Sequence, residues 1–293
     1  MYKLVAVDLD GTLLNSYGEV TEYTKEVIKK VQQKGLKFII ASGRPMDSIK
    51  SISKDIEADK YFIAGNGAII YDTQKQEIIY EKYIPKQKVL EIAKICEENN
   101  IFYNIYTEKN VITQYLKYNV LYYFKENLKK EPDKKTNIMV VDNMYDFIKN
   151  SEEMKCIKIT ICDESKIIFN SIIKKLKNIK DIEVLDVLHM SRKLIKQGTE
   201  DVAIEYFFTE ITSSEVDKIN AIKNLIKILN IDIKDVIAIG DNINDKKMIE
   251  EAGLGICMGQ ASEKIKEIAN IVAEDNNNDG VAKTLENIIT KMQ

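Results

Sequence analysis

The sequence has a single histidine, His189, and no tryptophan among its 293 residues. One histidine nearly excludes a histidine nucleophile and a metal site built from several histidines. We therefore expect any acid–base chemistry to be done by carboxylates. His189 itself lies between apolar and basic residues, and we interpret it as structural.

Cysteine is also scarce, with four residues at positions Cys96, Cys156, Cys162 and Cys257. They lie scattered in apolar segments and form neither a CxxC pair nor a disulfide ladder, which is typical of reduced core residues in a cytosolic protein. No apolar run is long enough for a membrane span, and Asp8 interrupts the only apolar stretch near the N-terminus. We therefore predict a cytoplasmic protein without a membrane partner.

The charge balance lacks a basic excess. The net charge is −3, with 45% hydrophobic and 30% charged residues. Nucleic-acid binding calls for a basic face, so we expect no nucleic-acid partner. The length suits two domains of ordinary size.

The most informative stretch is the first apolar strand, residues 4–7, which runs into Asp8, Leu9, Asp10, Gly11 and Thr12. Side chains two positions apart on a strand point the same way, so the two carboxylates can share a crevice. Such a pair is costly unless a cation or a proton relieves the repulsion. It therefore suggests a bound metal or a nucleophile beside an acid–base, although a strand ending in a polar turn is the simpler alternative.

Three more predicted strands end in small polar turns. Residues 36–41 lead into Ser42-Gly43-Arg44-Pro45, residues 61–64 into Gly65-Asn66-Gly67-Ala68, and residues 236–239 into Gly240-Asp241-Asn242-Ile243-Asn244-Asp245. Strands that alternate with helices predict an α/β fold with a doubly wound, Rossmann-like parallel sheet. In such a sheet the turns after the strands lie along one edge, where ligands bind.

The middle of the chain has a different pattern. Helices are predicted near 86–100 and 167–176, together with alternating strands such as 156–162, in which Ile157, Ile159 and Ile161 share one face. That alternation predicts an antiparallel sheet with one covered face. We therefore predict a core formed by residues 1–83 and 211–293, with residues 84–210 inserted as an α+β cap. Residues 129–135 are predicted to form an exposed loop, and 188–201 stay unassigned.

The ordered turns resemble the four signatures of the haloacid dehalogenase-like (HAD) phosphatases. Asp8-x-Asp10-Gly-Thr12 resembles the first motif, Ser42-Gly43-Arg44 the second, Lys218 the third, and Gly240-Asp241-x-x-Asn244-Asp245 the fourth. The Gly-Asn66-Gly-Ala turn and the closing Asn277-Asn-Asp-Gly-Val-Ala282 resemble the Cof-type branch, which has a large C2 (IIB) cap. One departure is Ile219, where the family often has glycine.

Phosphate ester hydrolysis needs a nucleophile, a proton donor and neutralisation of the phosphoryl charge. We predict Asp8 as the nucleophile, which forms an aspartyl-phosphate, and Asp10 as the acid–base. Asp8 and Asp241 could hold a hard cation, and the phosphate substrate favours Mg²⁺. Ser42 and the Gly43 amide can donate hydrogen bonds to phosphate. Lys218 adds a positive charge to the same site.

The resemblance implies further roles. Asp10 would bind the metal through its backbone carbonyl, with Asp245 supporting the metal from nearby. Leu9, through its amide, and Asn244 would contact phosphate. Arg44 and Asn66 are predicted to contact the substrate; these assignments follow from the family pattern alone.

The predicted function is therefore a Mg²⁺-dependent phosphatase that acts on a small phosphorylated metabolite, such as a sugar phosphate. Two alternatives stay open: a phosphomutase or phosphotransferase with the same intermediate, and a non-catalytic sensor of phosphorylated metabolites. Neither the physiological substrate nor the oligomeric state can be read from the sequence. Many aromatic residues lie between 102 and 124. We interpret them as packing within the sheet and helices rather than as a surface that stacks on the substrate.

Overall fold

The computed structural model describes residues 1–129, 135–185, 187–197 and 200–291. The chain forms two compact units: the core unit, Met1–Glu81 with Val216–Gln293, and the inserted unit, Lys82–Glu215. The sequence analysis placed these junctions at 83/84 and 210/211. The loop predicted at 129–135 lies largely outside the described residues, and so does the side chain of His189.

The first segment of the core unit supplies the centre of its sheet. Its elements are β1 (Leu4–Val7), α1 (Glu22–Gln33), β2 (Lys37–Ala41), α2 (Met46–Asp55), β3 (Tyr61–Ala64), β4 (Ile69–Asp72) and β5 (Glu77–Glu81). The α1 helix is capped by Thr21, whose side chain accepts the Thr24 N–H, and it buries Val27, Ile28 and Val31. The sequence analysis did not predict the antiparallel strands β4 and β5.

The described residues of the inserted unit form four helices and a mixed sheet. Its elements are α3 (Lys86–Glu98), β6 (Phe102–Thr107), β7 (Val111–Thr113), α4 (Tyr118–Asn127), β8 (Ile138–Val140), α5 (Met144–Asn150), β9 (Cys156–Asp163), α6 (Lys166–Leu176), β10 (Ile182–Val184), β11 (Leu188–Gln197) and β12 (Glu200–Ser213). The strand order is β10-β12-β9-β6-β7-β8, and β11 pairs with β12. The unassigned stretch 188–201 thus supplies β11 and the start of β12.

The prediction of one covered face for this sheet is wrong. Ile159 and Ile161 pack in an apolar cluster with residues of α3, α5 and α6, but Thr160 and Cys162 on the opposite face are buried too. The helix α4 lies against that second face, where the Asn119 side-chain amide donates to Tyr106 Oη at 2.9 Å. The sequence analysis had no signal for α4, because its pattern is mixed apolar and polar. The aromatic rings here pack on one another, as expected.

The second segment of the core unit contains α7 (Lys218–Leu229), β13 (Val236–Gly240), α8 (Lys246–Glu251), β14 (Leu254–Cys257), α9 (Glu263–Lys266), β15 (Ile271–Val272) and α10 (Gly280–Lys291). The α7 helix begins at Lys218 although isoleucine follows it. Asp217 caps the helix by accepting the Asn220 N–H at 2.8 Å, and Ile219 packs into the core at 1% exposure. The helix therefore begins at Lys218 without the glycine that the family often has at position 219.

The core sheet has the order β15-β14-β13-β1-β2-β3-β4-β5. The strands from β15 to β3 are all parallel, which confirms the predicted doubly wound α/β core. The chain runs from β1 to one side through β2 and β3, and from β13 to the other through β14 and β15. The strand order therefore reverses between β1 and β13, and the crevice at such a point is the usual ligand site.

Two further findings bear on the class of protein. In the described part of the chain, no helix combines the length and apolar character needed to cross a membrane. All four cysteines are buried free thiols.

Candidate active site

Four of the predicted site residues meet where the strand order reverses. Asp8 follows β1, and Asp241 and Asp245 follow β13; one oxygen from each of these three carboxylates lies within 4.8 Å of the others. Lys218, the first residue of α7, reaches into the same cluster. Its Nζ donates to Asp8 Oδ1 and to Asp245 Oδ1, each at 2.6 Å.

Burial makes this cluster electrostatically demanding. Asp8 is 5% exposed, Lys218 1% and Asp245 0%. Desolvation raises the pKa of Asp8 from 3.8 to about 7, although Lys218 acts in the opposite direction. Desolvation and the nearby Asp245 charge raise the pKa of Asp241 to about 6. Burial lowers the pKa of Lys218, but the Asp245 and Asp8 carboxylates raise it more, so the lysine stays charged.

Asp245 is the anchor of this arrangement. Its second oxygen, Oδ2, accepts the backbone N–H groups of Asp241 and Asn242, each at 3.1 Å, while Oδ1 accepts Lys218. Both oxygens are therefore engaged within the protein. Asp245 holds the turn after β13 and the lysine in place, so its oxygens are less available to a metal than those of Asp241.

The turn after β1 closes directly over Asp241. Gly11 has φ = +80°, and a Cβ at this position would lie 2.5 Å from Asp241 Oδ2, so only glycine fits. Thr12 donates its hydroxyl hydrogen to Asp241 Oδ1 at 3.1 Å. The side chain of Gln260 donates to the Gly11 carbonyl oxygen. Sequence reasoning gave Thr12 only a turn-forming part and had no signal for Gln260.

Asp10 does not join the carboxylate cluster through its side chain. Its carboxylate is 61% exposed and forms a two-pronged ion pair with Arg44, whose Nε lies 2.8 Å from Oδ2 and whose Nη2 lies 2.6 Å from Oδ1. This hydrogen bonding raises the pKa of Arg44. Arg44 also donates to Ser48 Oγ at 3.3 Å. The guanidinium thus orients both oxygens of Asp10.

The remaining predicted site residues line the same strand ends. Leu9 and Ser42 are buried at 0% and 1% exposure, and Ser42 Oγ accepts the Arg44 N–H at 3.2 Å. Asn244 donates through Nδ2 to Asn66 Oδ1 at 3.2 Å. All eleven predicted site residues therefore lie in the core unit. Eight of them form three local groups: the lysine-centred cluster, the Asp10–Arg44 pair and the Asn66–Asn244 pair.

A second set of polar residues braces the segment that follows Asp10. Asn276 Nδ2 donates to the Leu14 carbonyl at 2.8 Å, and Asn277 Oδ1 accepts the Ser16 N–H at 2.9 Å. Asp279 Oδ1 accepts the Thr21 hydroxyl at 2.6 Å. The segment 276–279 therefore holds residues 14–21 in place through hydrogen bonds. Nothing in the sequence indicated this role.

The donor set fits a hard divalent cation. Asp8 and Asp241 offer carboxylate oxygens, and burial together with the nearby Asp245 charge raises the pKa values of both carboxyls. A cation between them would favour the ionised forms. Oxygen-only ligation is the preference of Mg²⁺ and Ca²⁺. Within the described residues this is the one group of three acidic side chains close enough to hold a metal.

The profile of the haloacid dehalogenase-like hydrolases matches residues 5–285. This chain belongs to the haloacid dehalogenase-like hydrolase family. Phosphatase YwpJ of Bacillus subtilis is 28% identical to it, with 98% of this chain and 100% of that protein covered. A solved haloacid dehalogenase-like hydrolase of Bacteroides thetaiotaomicron is 26% identical, with 98% and 100% covered and a TM-score of 0.77.

Another solved structure, the HAD subclass IIB sugar phosphatase BT4131, covers 98% of both chains with a TM-score of 0.73. At 22% identity it shows a shared fold alone. The predicted family is therefore confirmed. The chain is an enzyme of HAD type, and relatives named as phosphatases support phosphatase activity.

Proposed function

We propose that this protein is a Mg²⁺-dependent phosphatase that hydrolyses a small phosphorylated metabolite through an aspartyl-phosphate. The observation that carries the proposal is the convergence of Asp8, Asp241 and Asp245 on a buried lysine at the point where the strand order reverses. The sensor alternative has no comparable support, because a binding protein does not need this costly concentration of buried carboxylates.

Asp8 is the proposed nucleophile. Lys218 holds one oxygen, Oδ1, at 2.6 Å, so the other carboxylate oxygen is the one we assign to attack on phosphorus. The bond from that oxygen to phosphorus forms as the bond to the leaving oxygen breaks. A nucleophile must be ionised, and the raised pKa of Asp8 means that ionisation depends on positive charge beside it.

Asp10 is the proposed acid–base. It would donate a proton to the leaving alcohol in the first step and remove one from the attacking water in the second. Its carboxylate is exposed, and the two-pronged contact with Arg44 orients both of its oxygens. In the second step the water oxygen bonds to phosphorus and the carboxylate of Asp8 leaves, so free phosphate is released.

Phosphate contacts are assigned to groups that donate hydrogen bonds. These are the backbone amides of Leu9 and Gly43, the hydroxyl of Ser42 and the side-chain amide of Asn244. Lys218 supplies positive charge, although its own hydrogen bonds go to Asp8 and Asp245. We propose Arg44 as a contact to the substrate as well as to Asp10.

Mg²⁺ is the proposed cofactor, held by the carboxylates of Asp8 and Asp241 with the Asp10 carbonyl, while Asp245 supports them. When bound, it would neutralise negative charge on the phosphoryl oxygens. The carboxylates alone would repel a phosphate dianion, and this repulsion is the physical reason to expect a strict metal requirement.

The substrate is proposed to be a small phosphate ester, with the inserted residues 84–210 selecting it and the core residues carrying the chemistry. The sugar phosphatase in the comparison shares the fold, so sugar phosphates are the first class to test. Cytoplasmic location stays a prediction. A screen of phosphorylated metabolites for released phosphate would identify the substrate class.

The decisive experiment measures hydrolysis of an aryl phosphate by wild type, Asp8→Asn and Asp47→Asn, with and without Mg²⁺. Asp47 is a matched control because its carboxylate is 70% exposed and lies on α2. We expect Asp8→Asn to lose on the order of 10³-fold or more of kcat, and Asp47→Asn to keep its rate. Turnover by Asp8→Asn, or metal-independent turnover by wild type, would contradict the proposal.

Two further measurements separate the mechanism from its rival. Borohydride reduces an acyl phosphate to an alcohol, so quenching during turnover should convert Asp8 to homoserine, which mass spectrometry detects. A phosphomutase would give the same label but transfer the phosphoryl group to a second molecule. Stoichiometric release of free phosphate therefore supports hydrolysis, and a deficit would favour the transferase.

A further inference from the structure

We propose that Asn66 is a positioning residue, which fixes the side chain of Asn244 for phosphate binding. The inference rests on the proposed function, because it assigns phosphate contacts to Asn244 and Gly43. It differs from a direct substrate contact by Asn66, and the two roles predict different effects on binding of phosphate itself.

The first observation is the backbone at Asn66. Its φ is +57° and its ψ is 26°, which is the left-handed region that glycine occupies without strain. Non-glycine residues there are uncommon, although asparagine is among the better tolerated. Glycines lie on both sides, at 65 and 67, so a third glycine would complete this turn with less strain. The backbone at this position therefore does not require an asparagine, and a glycine variant removes the side chain without adding strain.

The second observation is where the side chain goes. Asn66 Oδ1 accepts a hydrogen bond from Asn244 Nδ2 at 3.2 Å. This bond joins the turn after β3 to the turn after β13, two strands that are not neighbours in the sheet. This hydrogen bond fixes the orientation of the Asn244 side-chain amide, because its Nδ2 must face Asn66.

The third observation is the close approach to Gly43. A Cβ at Gly43 would lie 2.7 Å from Asn66 Oδ1. The backbone between them is held as well, because the Asn66 N–H donates to the Ser42 carbonyl at 3.0 Å and the Gly65 N–H to the Arg44 carbonyl at 3.2 Å. The turn after β3 is therefore linked to the turn after β2 through its backbone and to the turn after β13 through the Asn66 side chain.

The test is a double-mutant cycle read by binding of inorganic phosphate. Titration calorimetry with Mg²⁺ present would compare wild type, Asn66→Gly, Asn244→Ala and the double variant. Glycine suits the left-handed backbone, so Asn66→Gly should fold normally, and thermal melts check this. We expect phosphate affinity to fall by about tenfold, the size of one lost neutral hydrogen bond.

Coupling distinguishes positioning from an independent contact. If Asn66 acts through Asn244, the double variant should bind phosphate within about twofold of Asn244→Ala alone. Asn230→Gly is the matched control, since Asn230 is an exposed asparagine with φ = +54° at the end of α7. It should bind phosphate as wild type does.

Three results would overturn the inference: losses that multiply in the double variant, an Asn66→Gly variant with unchanged affinity, or an equal loss in Asn230→Gly. Absence of phosphate binding by the wild type would overturn it as well. If the wild type binds phosphate but releases none from esters, the proposed function fails, and the binding cycle still decides the role of Asn66.

Discussion

Replacing Asp8 with asparagine should stabilise the metal-free protein while it abolishes turnover. Asp8 is buried beside two other carboxylates and one lysine, so removal of its charge relieves repulsion. The asparagine oxygen can still accept the Lys218 hydrogen bond, and Asp245 still neutralises the lysine. The gain should grow with pH, because the Asp8 carboxyl of the wild type ionises at lower pH in the unfolded state than in the folded state.

The sign and size follow from the pKa of Asp8, which is raised from 3.8 to about 7 in the folded protein. Between these values the folded state binds more protons than the unfolded state, so the free energy of unfolding falls as pH rises. The drop between pH 5 and pH 8 is about 3 kcal/mol for this group. For domains of 150–250 residues, this corresponds to a fall in Tm of up to roughly 10 °C.

The assay is thermal unfolding at pH 5 and pH 8 in EDTA, for wild type, Asp8→Asn and the exposed control Asp47→Asn. Asp8→Asn should exceed the Tm of wild type by a larger margin at pH 8 than at pH 5, while Asp47→Asn should follow wild type at both. Mg²⁺ should raise the Tm of wild type at pH 8 more than that of Asp8→Asn. An Asp8→Asn variant that is less stable than wild type at pH 8 would refute this electrostatic reasoning.

Two further predictions concern single contacts. Arg44→Met should lower kcat for an alkyl phosphate by about tenfold or more, because Asp10 loses its two-pronged partner. Arg44→Lys should restore only part of the rate, since an ammonium cannot reproduce the planar fork; steady-state kinetics with unchanged kcat in both variants would contradict this. In the inserted unit, the buried hydroxyls of Thr160 and Thr212 have no hydrogen-bond partner. Valine at either position should raise the free energy of unfolding by about 1 kcal/mol, and a lower Tm in both variants would show that the hydroxyls are needed.

The core unit was the more predictable part of the fold. Its strands are short, continuous apolar runs, each followed by a polar turn, and its helices carry clear apolar stripes and caps. Residues 61–64 were predicted as a strand and form β3. Such signals lie in consecutive residues, so they can be recognised without knowing which other elements pack against them.

The inserted unit was less predictable because its elements depend on partners distant in sequence. The helix α4 buries few of its own residues, so its sequence has no regular apolar stripe. Polar contacts to the sheet hold it instead, and such contacts leave no periodic pattern in the sequence. The long strand β12 pairs with β9, β10 and β11, and its length reflects those partners.

For the site, the sequence by itself determined which side chains are available: carboxylates, a lysine and small polar turns directly after apolar strands. That information is local, because a strand end and its turn are specified by consecutive residues. Only the tertiary structure decided which of these turns are neighbours. The strand order brings Thr12 to Asp241, 229 positions away, and it pairs Asp10 with Arg44. These partnerships arise from sheet order and register, which depend on the packing of the whole core unit.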